Sequence, residues 1–546
     1  MMEDRYLATL EYVKITHQLA AHTAFSAGRA LALALRPSAD PEEVRLRLQE
    51  TTEAKALLSK RSDVSVGGAR DVRPLMRRAA LEAMLQPTEL LEIRVTLLSA
   101  RNLRSVLLRL EAEYPLLAAR AEGLEPLPEV IEAIGSCLDD EGRVLDTASP
   151  ALARIRHEVA VAHDRLLERL RRIVSAGRNA PYLQEPIVTE RNGRYVIPVK
   201  TEYKGRIQGI VHDQSSSGAT LFIEPLETVE LNNYWHELQL QERHEVERIL
   251  SELTALVGQE AKTITRNVEI LAELDLALAK GQYSFELHAV PAELTPAAWP
   301  LAPDDAELPP GRQPLHLIKA RHPLLPRETV VPIDVYLGGT KTVLVITGPN
   351  TGGKTVSLKT VGLLAAMSQA GLHIPAADGS RLPVFTGIYA DIGDEQSIEQ
   401  SLSTFSSHMT RIIAILRQAD QGALVLLDEL GAGTDPVEGS TLAQALIDTL
   451  LAKGCLTICS SHYSQLKLYA FSTPRVENAS VEFDVETLAP TYVLTIGLPG
   501  RSNALAIAQR LGLDDAIVAQ ARAMLSAEDL QADAQLARVR AASEAA

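Results

Sequence analysis

The sequence that decides the fold is Thr342-Val-Leu-Val-Ile-Thr347, followed directly by Gly348-Pro-Asn-Thr-Gly-Gly-Lys-Thr355. The first run is mostly apolar and β-branched, which predicts a buried strand of a parallel sheet. The second run matches the phosphate-binding pattern G-x-x-x-x-G-K-[ST], and a helix is expected from Thr355 to about Ala370. Successive backbone N–H groups and the positive end of that helix would face a polyphosphate. The stretch therefore predicts a nucleotide-binding site at the end of a buried strand.

The pattern also assigns roles to side chains of the loop. Lys354 is expected to reach the β- and γ-phosphates of ATP, and the hydroxyl of Thr355 is expected to bind Mg²⁺. The glycines allow the backbone to approach the phosphates closely. The residues expected to contact the nucleotide are Gly348, Pro349, Asn350, Thr351, Gly352, Gly353, Lys354, Thr355 and Val356.

Two further apolar runs end in polar residues of the type that nucleotide hydrolysis requires. The run Ala423-Leu-Val-Leu-Leu427 is followed by Asp428 and Glu429. Asp428 can hold Mg²⁺ through water, and Glu429 can polarise the attacking water, which typically contributes about 10²–10⁴-fold. A third strand, expected over residues 456–460, leads to His462, which could sense the γ-phosphate or have a structural role.

A polar segment lies between the first two of these runs. It reads Ser401-Leu-Ser-Thr-Phe-Ser-Ser-His-Met409 and precedes a helix expected over residues 409–418. Ser403 and Thr404 could donate hydrogen bonds to a phosphate. Both residue types are also common helix N-caps, so a structural role stays open.

Composition limits the class of protein. The chain has 546 residues, 46% of them hydrophobic, and a net charge of −16. Two to four domains are expected, and any contact with nucleic acid must be a local basic patch because the overall charge is negative. Three cysteines are too few for a disulfide framework and favour the cytoplasm. The sequence shows no signal peptide and no apolar run near the ~18 residues that a membrane span needs, so no membrane partner is expected.

The pattern changes along the chain. Residues up to about 176 predict helices, and residues 181–225 contain short β-type runs with glycine-containing turns. Residues 226–290 contain no proline. One helix over about 55 of them would span about 80 Å, with a kink at Gly258, although ordinary helices folded back on each other are the alternative. After a proline-rich linker, strand and helix signals alternate as in an α/β domain.

Basic residues occur along the β-type segment. Each could contact a phosphate, although the set could also be a solvated charged face. They are Arg191, Arg194, Lys200, Lys204 and Arg206.

Four segments together resemble the MutS-type ATPases, and in particular their second bacterial paralogue. They are Gly348–Thr355, Ser403–Met409, Asp428–Pro436 and Ser461–Tyr463. The resemblance implies an α/β P-loop ATPase domain with a doubly wound, mostly parallel sheet. This domain would be joined to a mainly helical core and lever region that carries a small β-containing clamp.

The resemblance also implies an order of domains. It assigns 1–110 to a helical core, 111–180 to the core and an ascending lever, 181–225 to the clamp, 226–290 to a descending lever, 291–314 to a linker, 315–525 to the ATPase domain with a helix-turn-helix dimer element, and 526–546 to a helical tail that starts a coiled coil.

The resemblance further implies a homodimer whose ATP sites are shared between two copies. The partner copy would supply the loop with Ser403 and Thr404, and Mg²⁺ would be held by Thr355 and Asp428. The first copy would supply Lys354, Thr355, Asp428, Glu429 and His462.

The family resemblance also predicts where the adenine base lies. The base would lie near residues 320–325 and 330–333, where His322 has either a binding or a structural role. Mismatch-repair relatives carry an aromatic residue near the position of Val330, but this chain has no aromatic residue there. This difference disfavours base stacking and favours weaker nucleotide binding.

Two functions fit the resemblance. One is an ATP-dependent clamp that binds branched DNA and suppresses homologous recombination. The other is a ribosome-associated ATPase that senses collided ribosomes and splits them into subunits, with ribosomal RNA as its partner. Nothing in the chain resembles the mismatch-reading or nuclease domains of relatives, so neither mismatch recognition nor endonuclease activity is expected from its residues.

Two other classes are alternatives to these functions. An ABC-type or chromosome-cohesion ATPase is disfavoured because Ser403-Thr-Phe405 stands where its Leu-Ser-Gly-Gly-Gln signature is expected. A nucleotide-binding dimer with a purely structural role stays open.

Overall fold

The computed structural model describes residues 3–296, 313–348, 352–393, 404–484, 489–498, 508–510 and 512–524. Most of the predicted linker and the whole predicted tail lie outside these ranges. None of the helices within them has the length and hydropathy to cross a membrane.

Helices and strands alternate in the second half of the chain, whereas the first half is mainly helical. The helices are α1 (Asp4–Thr9), α2 (Tyr12–Ala21), α3 (Ser26–Leu33), α4 (Pro41–Lys60), α5 (Arg73–Ala79), α6 (Pro87–Arg109), α7 (Pro115–Glu122), α8 (Pro128–Cys137), α9 (Pro150–Ser175), α10 (Leu226–Gln259), α11 (Ala261–Glu286), α12 (Lys354–Gln369), α13 (Thr404–Gln418), α14 (Pro436–Lys453), α15 (Ser464–Ser472) and α16 (Asp515–Ala523). The strands are β1 (Thr189–Arg191), β2 (Arg194–Lys200), β3 (Gly209–Gln214), β4 (Thr220–Pro225), β5 (Glu293–Thr295), β6 (Leu315–Ala320), β7 (Ile333–Leu337), β8 (Val343–Thr347), β9 (Arg381–Pro383), β10 (Ile388–Asp391), β11 (Leu424–Leu427), β12 (Leu456–Ser461), β13 (Val476–Asp484) and β14 (Ala489–Ile496).

Contacts divide the chain into two compact units. Unit 1 comprises Met1–Val66, Val106–Ala121 and Leu271–Ala546. Unit 2 comprises Gly67–Ser105 and Glu122–Ile270.

A six-stranded sheet forms the centre of unit 1. Its strand order is β10-β11-β12-β8-β13-β14. All neighbouring strands are parallel except β13 and β14, which are antiparallel. Every residue of β8 is buried, as expected for a strand that is covered on both faces. Because β8, β11 and β12 are parallel, their carboxyl ends lie at the same edge of the sheet.

Helices cover both faces of this sheet. Leu344 and Ile346 of β8 belong to a core that includes Leu358 of α12. Val343 and Val345, which alternate with them, belong to a second core that includes residues of α13, α14 and α15. A separate four-stranded sheet, with the order β5-β9-β6-β7, also lies in unit 1.

Helix α12 follows the glycine-rich loop and is buried along most of its length. A Cβ atom added at Gly362 would lie 2.5 Å from a methyl group of Leu426 and 2.7 Å from one of Leu10, so the helix packs tightly against its neighbours. At its last residue, the side chain of Gln369 donates to the carbonyl oxygens of Phe385 at 2.9 Å and Ser38 at 2.7 Å. These contacts fix the axis of the helix whose first residue is Lys354.

Unit 2 contains long helices and a small antiparallel sheet with the order β1-β2-β4-β3. The sheet lies within residues 181–225, where the sequence predicts β structure. Its core includes Ile197 and Val199 of β2, Leu166 and Leu170 of α9, and Trp235 of α10. The sheet is therefore anchored to the two helices that flank it in the sequence.

The chain between residues 226 and 290 forms two helices instead of one. Helix α10 ends at Gln259, and α11 begins at Ala261. Near this break, a Cβ atom added at Gly258 would lie 2.6 Å from the carbonyl oxygen of Ala79. Glycine is therefore required where α10 meets the end of α5.

We expect Gly258→Ala to destabilise the protein, although alanine is the better helix former by about 1 kcal/mol. The added methyl group must displace the backbone at Ala79, and overpacking of this kind typically costs about 1–3 kcal/mol. Gly177→Ala is the matched control, because a Cβ atom there would meet nothing within 4 Å. Calorimetry should show a lower melting temperature for Gly258→Ala only. A higher melting temperature, as helix propensity alone requires, would contradict the close approach.

Candidate functional site

The glycine-rich loop leaves the edge of the sheet at Gly348 and enters α12 at Lys354. Gly348 has φ 131° and Gly353 has φ 95°, a region that favours glycine. A Cβ atom at Gly353 would also lie 2.8 Å from the ring of Tyr492. The predicted residues Pro349, Asn350 and Thr351 lie outside the described residues, as does Ser403.

Lys354 is 1% exposed and points back toward the sheet edge. Its ammonium group donates to the carbonyl oxygen of Gly348 at 2.8 Å and lies 2.9 Å from Nε2 of His462. Burial lowers the pKa of Lys354 to about 8, although the carboxylates of Asp428 and Glu429 oppose this shift. Burial and then the nearby charge of Lys354 lower the pKa of His462 as well. A neutral imidazole can accept a hydrogen bond from the ammonium group.

Thr355 and Asp428 lie side by side. The hydroxyl of Thr355 donates to Oδ2 of Asp428 at 2.6 Å, and the hydroxyl of Ser460 donates to Oδ1. The backbone N–H of Asp428 donates to the carbonyl oxygen of Asp391 at 2.8 Å. A hydroxyl and a carboxylate in contact are the oxygen ligands that Mg²⁺ prefers, so these two residues fit that ion.

Glu429 has an unusual backbone at the end of β11. Its φ is 49°, in the left-handed region that residues with a side chain seldom adopt. Its N–H donates to the hydroxyl of Ser460 at 2.8 Å, which helps to hold this conformation. Its carboxylate Oε1 lies 3.9 Å from Nε2 of His462. Such strain typically costs about 1–3 kcal/mol and is found most often at functional sites.

The helix after the predicted phosphate-contacting loop starts earlier than expected. Helix α13 begins at Thr404, whereas the sequence favours a loop up to residue 409. The buried carboxylate of Asp391 accepts from Nδ1 of His408 at 2.7 Å and from Arg411 at 3.2 Å. Asp391 thus fixes the first turns of α13 to the end of β10.

A cavity of about 370 Å³ lies beside the start of α12. It is lined by Ala320, His322, Leu325, Thr329, Val330, Val331, Ile333, Gly353, Val356, Ser357, Thr360 and Tyr492. Both segments that are expected to contact the adenine base contribute to it. Burial lowers the pKa of His322 to about 4, so its ring is neutral, and its Nδ1 accepts from the N–H of Leu324 at 3.3 Å.

The sequence analysis did not identify four residues that line this cavity, which are Thr329, Ser357, Thr360 and Tyr492. Tyr492 is the aromatic one. It lies on β14, and its ring provides an aromatic surface in the cavity although Val330 is aliphatic. The β-branched and aromatic run Thr491-Tyr-Val493 predicts a strand, but nothing in the sequence shows that this strand reaches the loop.

The basic residues of the small sheet differ in their surroundings. Arg194 binds the buried carboxylate of Glu224 at 2.9 Å, and Arg191 stacks on Phe222 with its guanidinium carbon 4.3 Å from the ring centre. The ammonium group of Lys200 donates to a carbonyl oxygen at 3.4 Å. The remaining two, Lys204 and Arg206, are exposed.

Residues 344–529 match the family described as MutS domain V. A protein of Geobacillus sp. (strain WCH70), named Endonuclease MutS2, is 48% identical over 539 residues, which cover 98% of this chain and 67% of the relative. Proteins of the same name from Brevibacillus brevis and Thermomicrobium roseum are also 48% identical, over 538 and 541 residues. These alignments cover 98% of this chain and 67% and 68% of the relatives. The chain thus spans about two thirds of their length.

The loop, the strand order and the domain match together define a P-loop ATPase of the MutS type. The similarity to the named relatives is not limited to this domain, because it extends over nearly the whole chain. The chain belongs to the MutS2 family. The resemblance that the four sequence segments indicated is therefore confirmed.

We expect the affinity for ATP to fall as the pH rises above about 8, the pKa of Lys354 in the free protein. The ammonium group must be charged to bind phosphate, and bound phosphate would raise its pKa. Affinity should be constant below this pKa and fall by up to about tenfold per pH unit above it. Calorimetric titration with a non-hydrolysable ATP analogue between about pH 7 and 9.5 measures the effect.

Lys354→Arg provides the control for this prediction, because a guanidinium group stays charged throughout the range. This variant should bind more weakly but without the decline at high pH. A wild-type affinity that does not change over the range would contradict the assignment.

Proposed function

We propose that the chain hydrolyses ATP and, as a homodimer, closes around nucleic acid. The observation that carries this proposal is the group of side chains at the carboxyl ends of three parallel strands. They are Lys354, Thr355, Asp428, Glu429 and His462. Membership of a family of P-loop ATPases supports ATP as the nucleotide.

We also propose the doubly wound arrangement of the ATPase domain and the family's order of domains.

Lys354 is the proposed phosphate-binding cation. Its present partners, a carbonyl oxygen and a neutral imidazole, are weaker partners for an ammonium group than a charged phosphate. On ATP binding it would exchange these contacts for the β- and γ-phosphates. His462 would then interact with the γ-phosphate or with the attacking water.

Thr355 and Asp428 are the proposed holders of Mg²⁺. Their contacting oxygens are 2.6 Å apart, so both can face one ion once the hydrogen bond between them opens. When bound, the ion would neutralise charge on the phosphates. Ser460 would keep Asp428 oriented through its hydroxyl group.

Glu429 is the proposed residue that orients and polarises the attacking water. Its side chain is about one-third exposed, so water can reach it, and its backbone is held by Ser460. The phosphate-contacting residues Ser403 and Thr404 would come from the second copy. The contacts of Asp391 with His408 and Arg411 fix the helix that begins at Thr404.

The adenine base is proposed to occupy the cavity beside α12. Tyr492 would stack on the base, a contact worth about 1–3 kcal/mol for base–aromatic pairs. His322 would be a neutral residue of the same cavity. The sequence predicted weak nucleotide binding because no aromatic residue lies near Val330. Since Tyr492 can stack on the base, the proposal does not include weak binding.

Two variants should separate hydrolysis from closure of the dimer. Glu429→Gln should lower turnover by about 10²–10⁴-fold, because the water loses its base, while ATP binding is kept. Ser403→Ala should also bind ATP but should fail to form ATP-dependent dimers in sedimentation velocity. Unchanged turnover in Glu429→Gln would favour a purely structural nucleotide-binding dimer.

Mixing inactive variants tests whether the ATP site is shared. Lys354→Ala and Ser403→Ala are each expected to be inactive. In a mixed dimer one site carries both changes and the other carries neither. An equimolar mixture should therefore recover about a quarter of wild-type turnover if the two variants pair at random, and about half if neither variant pairs with itself. No recovery would show that both residues act within one copy.

Nucleic acid is the proposed partner of the small sheet in unit 2, which corresponds to the clamp. All five basic residues of this segment are proposed phosphate contacts. Arg194 is also bound to Glu224 within the protein, and Arg191 also stacks on Phe222. Branched DNA and suppression of homologous recombination are proposed first, with collided ribosomes as the alternative target. The relatives are named endonucleases, but no nuclease chemistry is proposed for residues of this chain.

Reversing two clamp charges should weaken binding to a four-way DNA junction. Each lost phosphate contact should reduce the salt slope by about one, so Lys200→Glu with Lys204→Glu should reduce it by about two. Arg29→Glu with Arg109→Glu is the control, because it makes the same charge change at exposed positions in unit 1. Fluorescence anisotropy over a salt series measures both quantities. An unchanged slope would contradict the clamp contacts, and binding to collided ribosomes alone would overturn the DNA target.

The cytoplasm is the proposed location. All three cysteines are free, and burial raises the pKa of Cys455 to about 11 and that of Cys459 to about 12. Both thiols are therefore protonated core residues, which suits a reducing compartment.

A further inference from the structure

We infer that unit 2 carries a second phosphate-binding surface, outside the clamp segment, where α5 meets the start of α11. We name it the junction groove and define it by Arg73, Arg77, Lys262 and Arg266. Its proposed ligand is the sugar-phosphate backbone of a nucleic acid. This inference rests on the proposed function, because it assumes a nucleic-acid partner, and it adds a site that the clamp does not include.

The packing of the helices creates the groove. The glycine contact between α10 and Ala79 brings the end of α5 against the break between α10 and α11. A concave space of about 460 Å³ remains there. Met76, Ala80 and Ala261 contribute small or apolar surface to it, and the basic side chains extend around them. The groove therefore has room for a phosphate group between basic side chains.

The groove keeps a positive charge after its ion pairs are counted. Arg73 binds Asp71 through two hydrogen bonds of 2.7 Å, and Arg266 binds Glu269 at 3.2 Å. Arg77 and Lys262 are exposed and lie in the same groove. Four cations and two carboxylates leave a net charge of +2 at this place, in a chain with a net charge of −16. A local excess of this kind attracts an anion even when the protein as a whole repels it.

The spacing of the cations fits a chain of phosphates. Arg73 and Arg77 are four residues apart on α5, and Lys262 and Arg266 are four residues apart on α11, so each pair lies on one face of its helix. Within a pair the residues are about 6 Å apart along the helix axis, which is similar to the separation of successive phosphates on a strand. Guanidinium groups also match phosphate oxygens bidentately. An acidic peptide would offer fewer and less regular charges.

The test uses the full chain and the variant Arg77→Glu with Lys262→Glu. These positions are exposed, whereas Arg73 and Arg266 are left in place to hold their carboxylates. The control is again Arg29→Glu with Arg109→Glu. Binding to a fluorescent four-way DNA junction and to a double-stranded RNA hairpin is measured by anisotropy from about 50 to 200 mM salt, in the presence of a non-hydrolysable ATP analogue.

We expect the groove variant to bind at least about tenfold more weakly at low salt, with a salt slope reduced by about two. Arg77→Gln with Lys262→Gln should show a smaller change in the same direction, which separates lost charge from misfolding. ATP turnover without nucleic acid should be unchanged in both groove variants. The control should keep the wild-type affinity and slope.

Three results would overturn the inference. They differ in whether the proposed nucleic-acid function is overturned as well. If the wild type binds and the groove variants keep its affinity and slope, the groove is not a site and the proposed function stands. If the groove variants keep the wild-type affinity for nucleic acid but bind fluorescent polyglutamate more weakly, the groove takes acidic peptides instead. If the wild type binds neither probe, the proposed function falls together with the groove.

Discussion

The burial of one positive charge, the ammonium group of Lys354, is the constraint on which the site depends. A lysine seldom occupies an interior position, because removing its charge from water is costly. Here the cost is offset by the carbonyl oxygen of Gly348, the ring of His462 and the negative charges of Asp428 and Glu429. Three of these groups, His462, Asp428 and Glu429, are also the ones proposed to act in nucleotide hydrolysis. The same contacts therefore hold the charged lysine at the edge of the sheet, where the proposed phosphate would replace them.

The rest of unit 1 holds this lysine in place. The buried strand β8 sets where the loop begins, and the tight packing of α12 at Gly362 sets where it ends. Gln369 fixes the far end of the helix through two carbonyl oxygens. Ser460 orients both Asp428 and the strained backbone of Glu429, so one hydroxyl-bearing residue connects two neighbouring strands. Displacing any of these elements would alter the distances among Lys354, Asp428 and Glu429.

Unit 2 has basic residues on its surface although the protein as a whole is acidic. Its basic residues are not equivalent, because some hold the fold together and others are exposed. Arg194 lies against Glu224, a carboxylate that is fully buried and also 2.5 Å from His212. A buried carboxylate without such partners would be costly, so this pairing is required for the small sheet whether or not it also serves binding. Exposed cations such as Arg77 and Lys204 are not subject to this constraint.

Features that depend on consecutive residues could be predicted from the sequence alone. Local patterns predicted the loop from Gly348 to Thr355, the strand before it, and the strand that precedes Asp428 and Glu429. Such features are predictable because a strand, a turn and a helix start are set mainly by neighbouring residues. The family likewise followed from four short segments. Tertiary packing was needed to show that Tyr492 reaches the cavity beside α12, that α13 starts at Thr404 beside Asp391, and that Gly258 meets Ala79. These contacts join residues far apart in the chain, and they are fixed by how helices and strands pack, which no local pattern specifies.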